Sequence, residues 1–184
     1  MKKYIPASIK VILVFLLVNA HIGTLSAQSN NWTKDEAEYY KKMKSLCEYI
    51  QNERYDTARR GLIFKEFIYF DNVLSDTSIV HIRERTQWFD GLFIMLIRFV
   101  DSVGLSNLDA VPTRFFKADT TFFEPYGSGG DLEDCTPYTL TYFDKRHPEH
   151  PIGTLLFEVG THKLLSWIVL NQGGYRYFLT FNLM

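Results

Sequence analysis

The sequence predicts an α+β domain in which about three N-terminal helices pack on a C-terminal antiparallel meander of four to five strands. Apolar residues recur every three or four positions up to about residue 103, which is the period of an α-helix. After about residue 111 they recur at every second position, which is the period of a strand. The links between these later segments have hairpin length, so neighbouring strands are expected to be antiparallel. Helices followed by strands are typical of the α+β class.

The first two helices are predicted with different clarity. The first begins after Thr33, where 34–36 is typical of a capped start, and its apolar stripe comprises Ala37, Tyr40, Met43, Cys47 and Ile50. The second spans about residues 56–74, with Leu62, Ile63, Phe67, Phe70 and Leu74 on one face. Its aromatic part at 62–70 is also compatible with a buried strand.

The third helix has the clearest pattern. It follows capping residues at 76–78, and its apolar side comprises Val80, Phe89, Leu92, Phe93, Leu96, Phe99 and Val103. Gly104 is expected to end it in the left-handed conformation that glycine adopts easily. The almost continuous apolar run at 92–100 is too short to span a bilayer, so it predicts a well-buried core helix.

The strand half is predicted to form a meander over residues 138–143, 154–159, 164–170 and 175–181. A fifth, less regular strand or hairpin is expected between residues 113 and 124. The segment 164–170 has one polar residue, Ser166, so it is expected to be central and covered on both faces. Helices and the 104–135 segment are expected to supply that cover, and the alternative is a pocket or partner surface on one face.

Helices followed by a meander with short links at 160–163 and 171–174 form a recognisable element order. This order is similar to that of the cone-shaped domains of the nuclear-transport-factor-2-like superfamily. The resemblance is one of element order, and element order implies no function.

The first 27 residues have the order of a secretory signal peptide: a basic start, an apolar stretch at 11–18 and small residues up to Ala27. Cleavage is predicted after Ala27, and the alternative is cleavage after Ala20. The apolar stretch is far shorter than the roughly 20 residues of a spanning helix, so no membrane span is expected after cleavage. The short lysine-based start is typical of bacteria, and a secreted or periplasmic location is expected.

Removal of residues 1–27 would leave one domain at 28–184, long enough to build a single core. It would also take away three lysines and no acidic residue, which changes the formal net charge from −1 to −4. This mild acidity argues against a nucleic-acid partner, because nucleic-acid binding needs a basic patch. Aromatic residues make up 16% of the chain, which favours an aromatic-rich core and leaves open a ring-lined pocket.

The two cysteines, Cys47 and Cys135, form an even pair. In an oxidising compartment such a pair allows one disulfide. The alternative is that Cys47, on the apolar stripe of the first helix, is a small buried hydrophobic residue.

A second candidate site lies in the loop 144–150, where Asp144, His147 and His150 are ligand types that zinc prefers. Prolines at 148 and 151 would stiffen this loop. The alternative is a solvated connection between two strands. Walker-type and dinucleotide-binding glycine motifs are absent from the sequence, and so no cofactor other than zinc is suggested.

These observations favour an exported, non-enzymatic domain that binds a small apolar or aromatic ligand, or a protein partner, on a curved sheet. One alternative is a metal-dependent hydrolase that uses Asp144, His147 and His150. The other is a structural subunit of an envelope assembly.

Overall fold

The computed structural model describes residues 31–53, 56, 59–69, 79–116, 134–172 and 175–180. The predicted signal peptide at 1–27 lies outside this range. The fold belongs to a compact unit that begins at Lys34. It has the predicted α+β architecture, with helices first and an antiparallel sheet after them. No helix among the described residues is long and apolar enough to cross a membrane.

Helix α1 spans Lys34–Glu53 and begins where the sequence predicted. Its buried residues are Glu36, Tyr39, Met43, Leu46, Cys47 and Ile50. The predicted stripe is confirmed at its last three positions. At the N-terminal end Tyr39 is fully buried and Tyr40 is only half-buried, because the Tyr40 hydroxyl donates a hydrogen bond to Asp109 at 2.7 Å.

Helix α2 spans Arg60–Glu66 and is shorter than predicted. The chain leaves the helix at Phe67, and Ile68 forms a parallel bridge with Leu164. The Leu164 N–H donates to the Phe67 carbonyl at 2.8 Å, and the Tyr69 N–H donates to the Leu164 carbonyl at 2.9 Å. The helix ends here because the backbone groups of this segment pair with the otherwise unpaired N–H and C=O groups of an edge strand. Residues 70–74 of the predicted helix lie outside the described residues.

Helix α3 spans Ile79–Val103. Gly104 follows it with a φ of 80°, which confirms the predicted left-handed cap. The prediction that the run at 92–100 is well buried is wrong. One face is buried and comprises Phe89, Phe93, Leu96 and Val100, whereas Trp88, Ile94, Met95 and Phe99 are 68%, 44%, 52% and 45% exposed. A helix that lies on one side of a sheet buries only a stripe of its surface, and the other apolar residues stay accessible.

The main sheet is antiparallel with the order β1-β2-β3-β4. Its strands are β1 (Leu108–Pro112), β2 (Thr139–Asp144), β3 (Pro151–Phe157) and β4 (Leu164–Ser166). A separate hairpin pairs β5 (Val169–Gln172) with β6 (Tyr175–Phe178). Short 3₁₀ helices occupy Thr113–Phe115 and Thr136–Tyr138. Strand β1 was not predicted. Of the strand or hairpin predicted at 113–124, Thr113–Phe115 form a 3₁₀ helix, and residues 117–124 lie outside the described residues.

The expectation that 164–170 forms one central strand is also wrong. The central strands are β2, which is buried from Thr139 to Phe143, and β3, whereas β4 lies at the edge of the main sheet. The extended segment is interrupted between β4 and β5. There the fully buried Ser166 hydroxyl makes hydrogen bonds to the backbone that a neighbouring strand would otherwise make. It donates to the Leu179 carbonyl at 2.7 Å and accepts from the Ile168 N–H at 3.1 Å.

The two faces of the sheet are covered differently. The first packs on the helices in one aromatic-rich core that includes Leu140, Leu155 and Phe157. On the opposite face the Thr139 and Thr141 hydroxyls bond the Thr113 hydroxyl at 2.8 and 3.1 Å. This face also carries a smaller cluster of Leu156 and Phe178, with Cys135, Leu165 and Val169 packed against it. Parts of the 104–135 segment therefore contribute to the cover, as expected.

Candidate functional site

An apolar groove lies between helix α3 and the sheet, and we call it the helix–sheet groove. Its volume is about 340 Å³. It is lined by Leu92, Met95, Leu96 and Phe99 of α3, by Tyr142 of β2, by Ile152, Gly153 and Thr154 of β3, and by Trp167, Ile168 and Val169 at the β4–β5 break. No charged side chain is among these lining residues.

The helical wall consists of side chains that share one face of α3. Leu92, Met95 and Phe99 are spaced by three and four positions, so they lie above one another along the helix. Leu96 is buried beside them, while Met95 and Phe99 keep about half of their surface accessible. Large apolar side chains that stay exposed around a concavity mark a binding surface more often than an ordinary solvated face.

The sheet-side wall depends on Trp167. Its indole ring makes edge-on contacts with Phe89 and Phe93 of α3, with ring centroids 5.9 and 5.7 Å apart. The rings of Phe89 and Phe93 stack on each other at 5.3 Å. Trp167 lies in the break between β4 and β5, and its ring packs toward the helix. The wall is therefore held by an aromatic cluster that belongs to the core.

The floor of the groove is set by Tyr142 and Gly153, which are direct partners across β2 and β3. A Cβ atom placed on Gly153 would lie 2.9 Å from Cε1 and from the hydroxyl oxygen of Tyr142. The Tyr142 ring therefore occupies the space that a side chain at position 153 would need. Glycine is required here for close approach, since its φ is not in the left-handed region.

A small inner pocket of about 20 Å³ lies next to the groove. Leu96, Phe99 and Tyr142 line both spaces. The remaining wall of the inner pocket is formed by Met43, Leu46, Cys47, Val100, Leu108 and Leu155. A rearrangement of Phe99 or Tyr142 would join the two spaces, so the usable volume depends on these two rings.

The structure places the predicted metal ligands at the end of β2 and in the following turn, where they are not brought together. Both carboxylate oxygens of Asp144 accept hydrogen bonds from the Arg146 guanidinium, including two from Nε at 2.9 Å. This pairing lowers the pKa of Asp144 to about 2. The rings of His147 and His150 are nearly parallel, with centroids 6.1 Å apart. Among the described residues no group of three His, Cys, Asp or Glu side chains is arranged to hold a metal ion.

Both cysteines are free thiols, so the disulfide that the sequence allowed is not present in the structure. Cys47 is buried in the main core, and burial raises the pKa of its thiol to about 11. Cys135 packs instead against Leu156 and Phe178 on the opposite face of the sheet. The two thiols belong to different apolar clusters, and Cys47 is the buried hydrophobic residue of the alternative interpretation.

Sequence reasoning did not single out the groove residues. One signal was present, because Trp167 is the largest side chain in an otherwise aliphatic run. This signal does not identify the residues that pack against Trp167.

Comparison of the chain with protein-family models, with curated proteins and with solved structures gives no match in any of the three. The similarity to the nuclear-transport-factor-2-like superfamily is therefore limited to element order. The helix–sheet groove is therefore the feature from which a function can be inferred.

Proposed function

We propose that this protein is an exported, non-enzymatic domain that binds a small, uncharged apolar or aromatic ligand in the helix–sheet groove. The observation that carries the proposal is the groove of about 340 Å³ lined by half-exposed Met95 and Phe99 and by Trp167. Ligand pockets in proteins have volumes of roughly 300–1,000 Å³ and mostly apolar, aromatic walls. The groove lies at the small end of that range, so the ligand is small.

The lining supports an uncharged ligand. The groove is lined by aliphatic side chains and aromatic rings, with no charged side chain to pair with a carboxylate or an ammonium group. A charged group that entered would lose its hydration without a compensating ion pair. An apolar ligand would instead gain about 25 cal/mol for each Å² of apolar surface removed from water.

A small ligand suits this groove better than a protein segment does. Its walls belong to three separate parts of the chain that surround a short concavity, namely α3, the start of β3 and the β4–β5 break. Protein partners are usually recognised on flatter and larger surfaces, of about 800 Å² on each side.

The proposal is tested by fluorescence titration with N-phenyl-1-naphthylamine, an uncharged aromatic dye. The exposed side chains of Phe99 and Ile94 provide a matched pair of variants, since both lie on α3 and are 45% and 44% exposed, and only Phe99 lines the groove. Saturable binding to the native protein that is weakened at least tenfold in Phe99→Gln and unchanged in Ile94→Gln supports the proposal. Equal affinities in both variants refute it.

Export is the second part of the proposal, and N-terminal sequencing of the protein recovered outside the cytoplasm tests it. Cleavage at the preferred site gives a chain that begins at Gln28, and cleavage at the alternative site gives one that begins at His21. A product that retains Met1 contradicts this part.

The metal-dependent hydrolase remains a separate prediction, and metal analysis of the purified protein decides it. Stoichiometric zinc that is lost in His147→Ala would favour it over the non-enzymatic proposal. Light scattering tests the hypothesis that the protein is a structural subunit of an envelope assembly, since a strictly monomeric protein argues against such an assembly.

A further inference from the structure

A second exposed surface of α3 lies beside the groove and shares Met95 with it. Glu84, Trp88, Gly91, Met95 and Arg98 are spaced by three and four positions, so they form one stripe along the helix. All five residues are exposed, and Trp88 at 68% and Met95 at 52% are the most exposed of the large apolar residues in the described chain. An apolar centre with charged ends is the pattern of a helix that packs on another helix.

Gly91 stands at the centre of this stripe. A Cβ atom at this position would meet no other atom within 4 Å, so nothing in the described fold requires a glycine here. Glycine in an exposed helix interior destabilises the helix relative to alanine. Gln87, Trp88, Gly91 and Leu92 line a shallow depression at this point. The missing side chain makes room for a second backbone to approach closely.

The charges at the two ends are opposite and equidistant. Glu84 precedes Gly91 by seven residues, and Arg98 follows it by seven residues. Seven residues correspond to about 10 Å along a helix. Two identical helices that cross antiparallel at Gly91 would therefore form two ion pairs. In each pair, Glu84 of one copy lies opposite Arg98 of the other. A two-fold contact has this reciprocal form, whereas a parallel arrangement would bring like charges together.

We propose that two copies of this chain associate through α3, with the helices crossing antiparallel at Gly91. Trp88 and Met95 form the apolar centre, and reciprocal Glu84–Arg98 pairs fix the direction. This inference does not rest on the ligand-binding proposal. A contact between two single helices is smaller than the roughly 1,200 Å² of a stable interface, so the dimer is weak and forms reversibly.

Charge-swap variants of the protein expressed from its full-length coding sequence test this dimer by sedimentation velocity at low ionic strength. Glu84→Arg or Arg98→Glu alone turns both reciprocal pairs into like-charge pairs, and we expect each to weaken dimerisation about tenfold. The double variant restores both pairs and the affinity. Positions 84 and 98 lie about 21 Å apart on one helix, so they cannot pair within one chain.

Glu48→Arg is the matched control, because it makes the same charge change at an exposed position of α1, away from the stripe. It is expected to leave the affinity unchanged, and circular dichroism verifies that every variant is folded. If a single swap does not fold, Glu84→Gln and Arg98→Gln take its place, and each is expected to weaken the dimer.

A native protein that is monomeric at all concentrations overturns the proposal. It is also overturned if the double swap does not recover affinity, or if Glu48→Arg weakens it as much as Glu84→Arg. Phe99→Gln separates this inference from ligand binding, since it alters the groove and leaves the stripe intact.

Discussion

The ring of Tyr142 covers Gly153, its direct partner across strands β2 and β3, so closely that a methyl group at Gly153 would lie 2.9 Å from the ring. Both residues line the helix–sheet groove, and Tyr142 also lines the inner pocket. The pair therefore connects the packing of the sheet with the shape of the groove.

Gly153→Ala is expected to displace the Tyr142 ring. Because Tyr142 is buried, the added methyl group overpacks its surroundings and lowers the free energy of unfolding by about 1–3 kcal/mol. The affinity for N-phenyl-1-naphthylamine changes at the same time. Urea unfolding and dye titration measure the two effects. Gly61→Ala is the control, since its Cβ meets no atom within 4 Å and it should slightly stabilise α2. Unchanged stability and unchanged dye binding in Gly153→Ala would contradict the expected displacement of the Tyr142 ring.

Arg114 and Glu36 form a second testable pair. Glu36 in the first turn of α1 is 2% exposed, and its two oxygens accept hydrogen bonds from Arg114 Nε at 2.6 Å and Nη2 at 2.8 Å. Removal of the Arg114 guanidinium leaves the buried Glu36 carboxylate without this bidentate ion pair. Since the Arg114 side chain is 39% exposed, water offsets part of the loss. We expect Arg114→Met to lower the free energy of unfolding by about 2–3 kcal/mol.

The double variant Glu36→Gln with Arg114→Met is the control for this pair. It removes the charge that would be left buried, so it should be more stable than Arg114→Met alone. Equal stabilities of the single and the double variant would mean that the buried Glu36 charge is not the cause of the destabilisation.

Asp144 provides a prediction on pH. Hydrogen bonds from Arg146 lower its pKa from 3.8 to about 2. A carboxyl whose pKa is depressed on folding stabilises the native state above its unfolded pKa, and that stabilisation is lost as the pH falls through the folded value. NMR titration of the Asp144 carboxyl should give an apparent pKa near 2 in the native protein and a value shifted upward, toward 3.8, in Arg146→Gln. The same pKa of Asp144 in both proteins would refute Arg146 as the cause of the lowered value.

The thiols differ in their predicted reactivity. Cys47 is buried with a pKa of about 11, whereas Cys135 is only partly buried. Because the thiolate is the reactive form, a maleimide at pH 8 should modify Cys135 well before Cys47 in the folded protein. A separate sample that has not been treated with maleimide should expose two free thiols when it is unfolded without a reductant. The Cys135→Ser variant identifies the fast site, and an absence of thiols in the unfolded protein would demonstrate a disulfide.

Local patterns predicted the elements well where one residue determines the backbone. Gly104 ended α3 with the expected positive φ, and the hairpin-length links at 160–163 and 171–174 correctly predicted the antiparallel pairs β3–β4 and β5–β6. The break in 164–170 was not predictable, because it depends on the Ser166 hydroxyl meeting Leu179, thirteen residues away. Strand β1 was missed because Asp109 and Pro112 disrupt its apolar pattern.

The groove itself could not be predicted from the sequence. Phe93 and Phe99 look alike in the apolar run of α3, but Phe93 is buried and Phe99 is 45% exposed. The difference arises from the direction in which the sheet approaches the helix. Hydrophobicity alone predicts that an apolar run will be buried, and the tertiary structure decides which part of it remains accessible.

The most direct test of the binding proposal is the NMR signal of the Met95 methyl group in protein labelled with ¹³C at its methionine methyl groups. Met95→Leu assigns the signal, and N-phenyl-1-naphthylamine is the probe. Met95 lines the groove, so its methyl resonance should shift saturably as the aromatic dye enters, with the same midpoint as the fluorescence titration. Dye binding that leaves the Met95 methyl resonance unshifted would contradict binding in the helix–sheet groove.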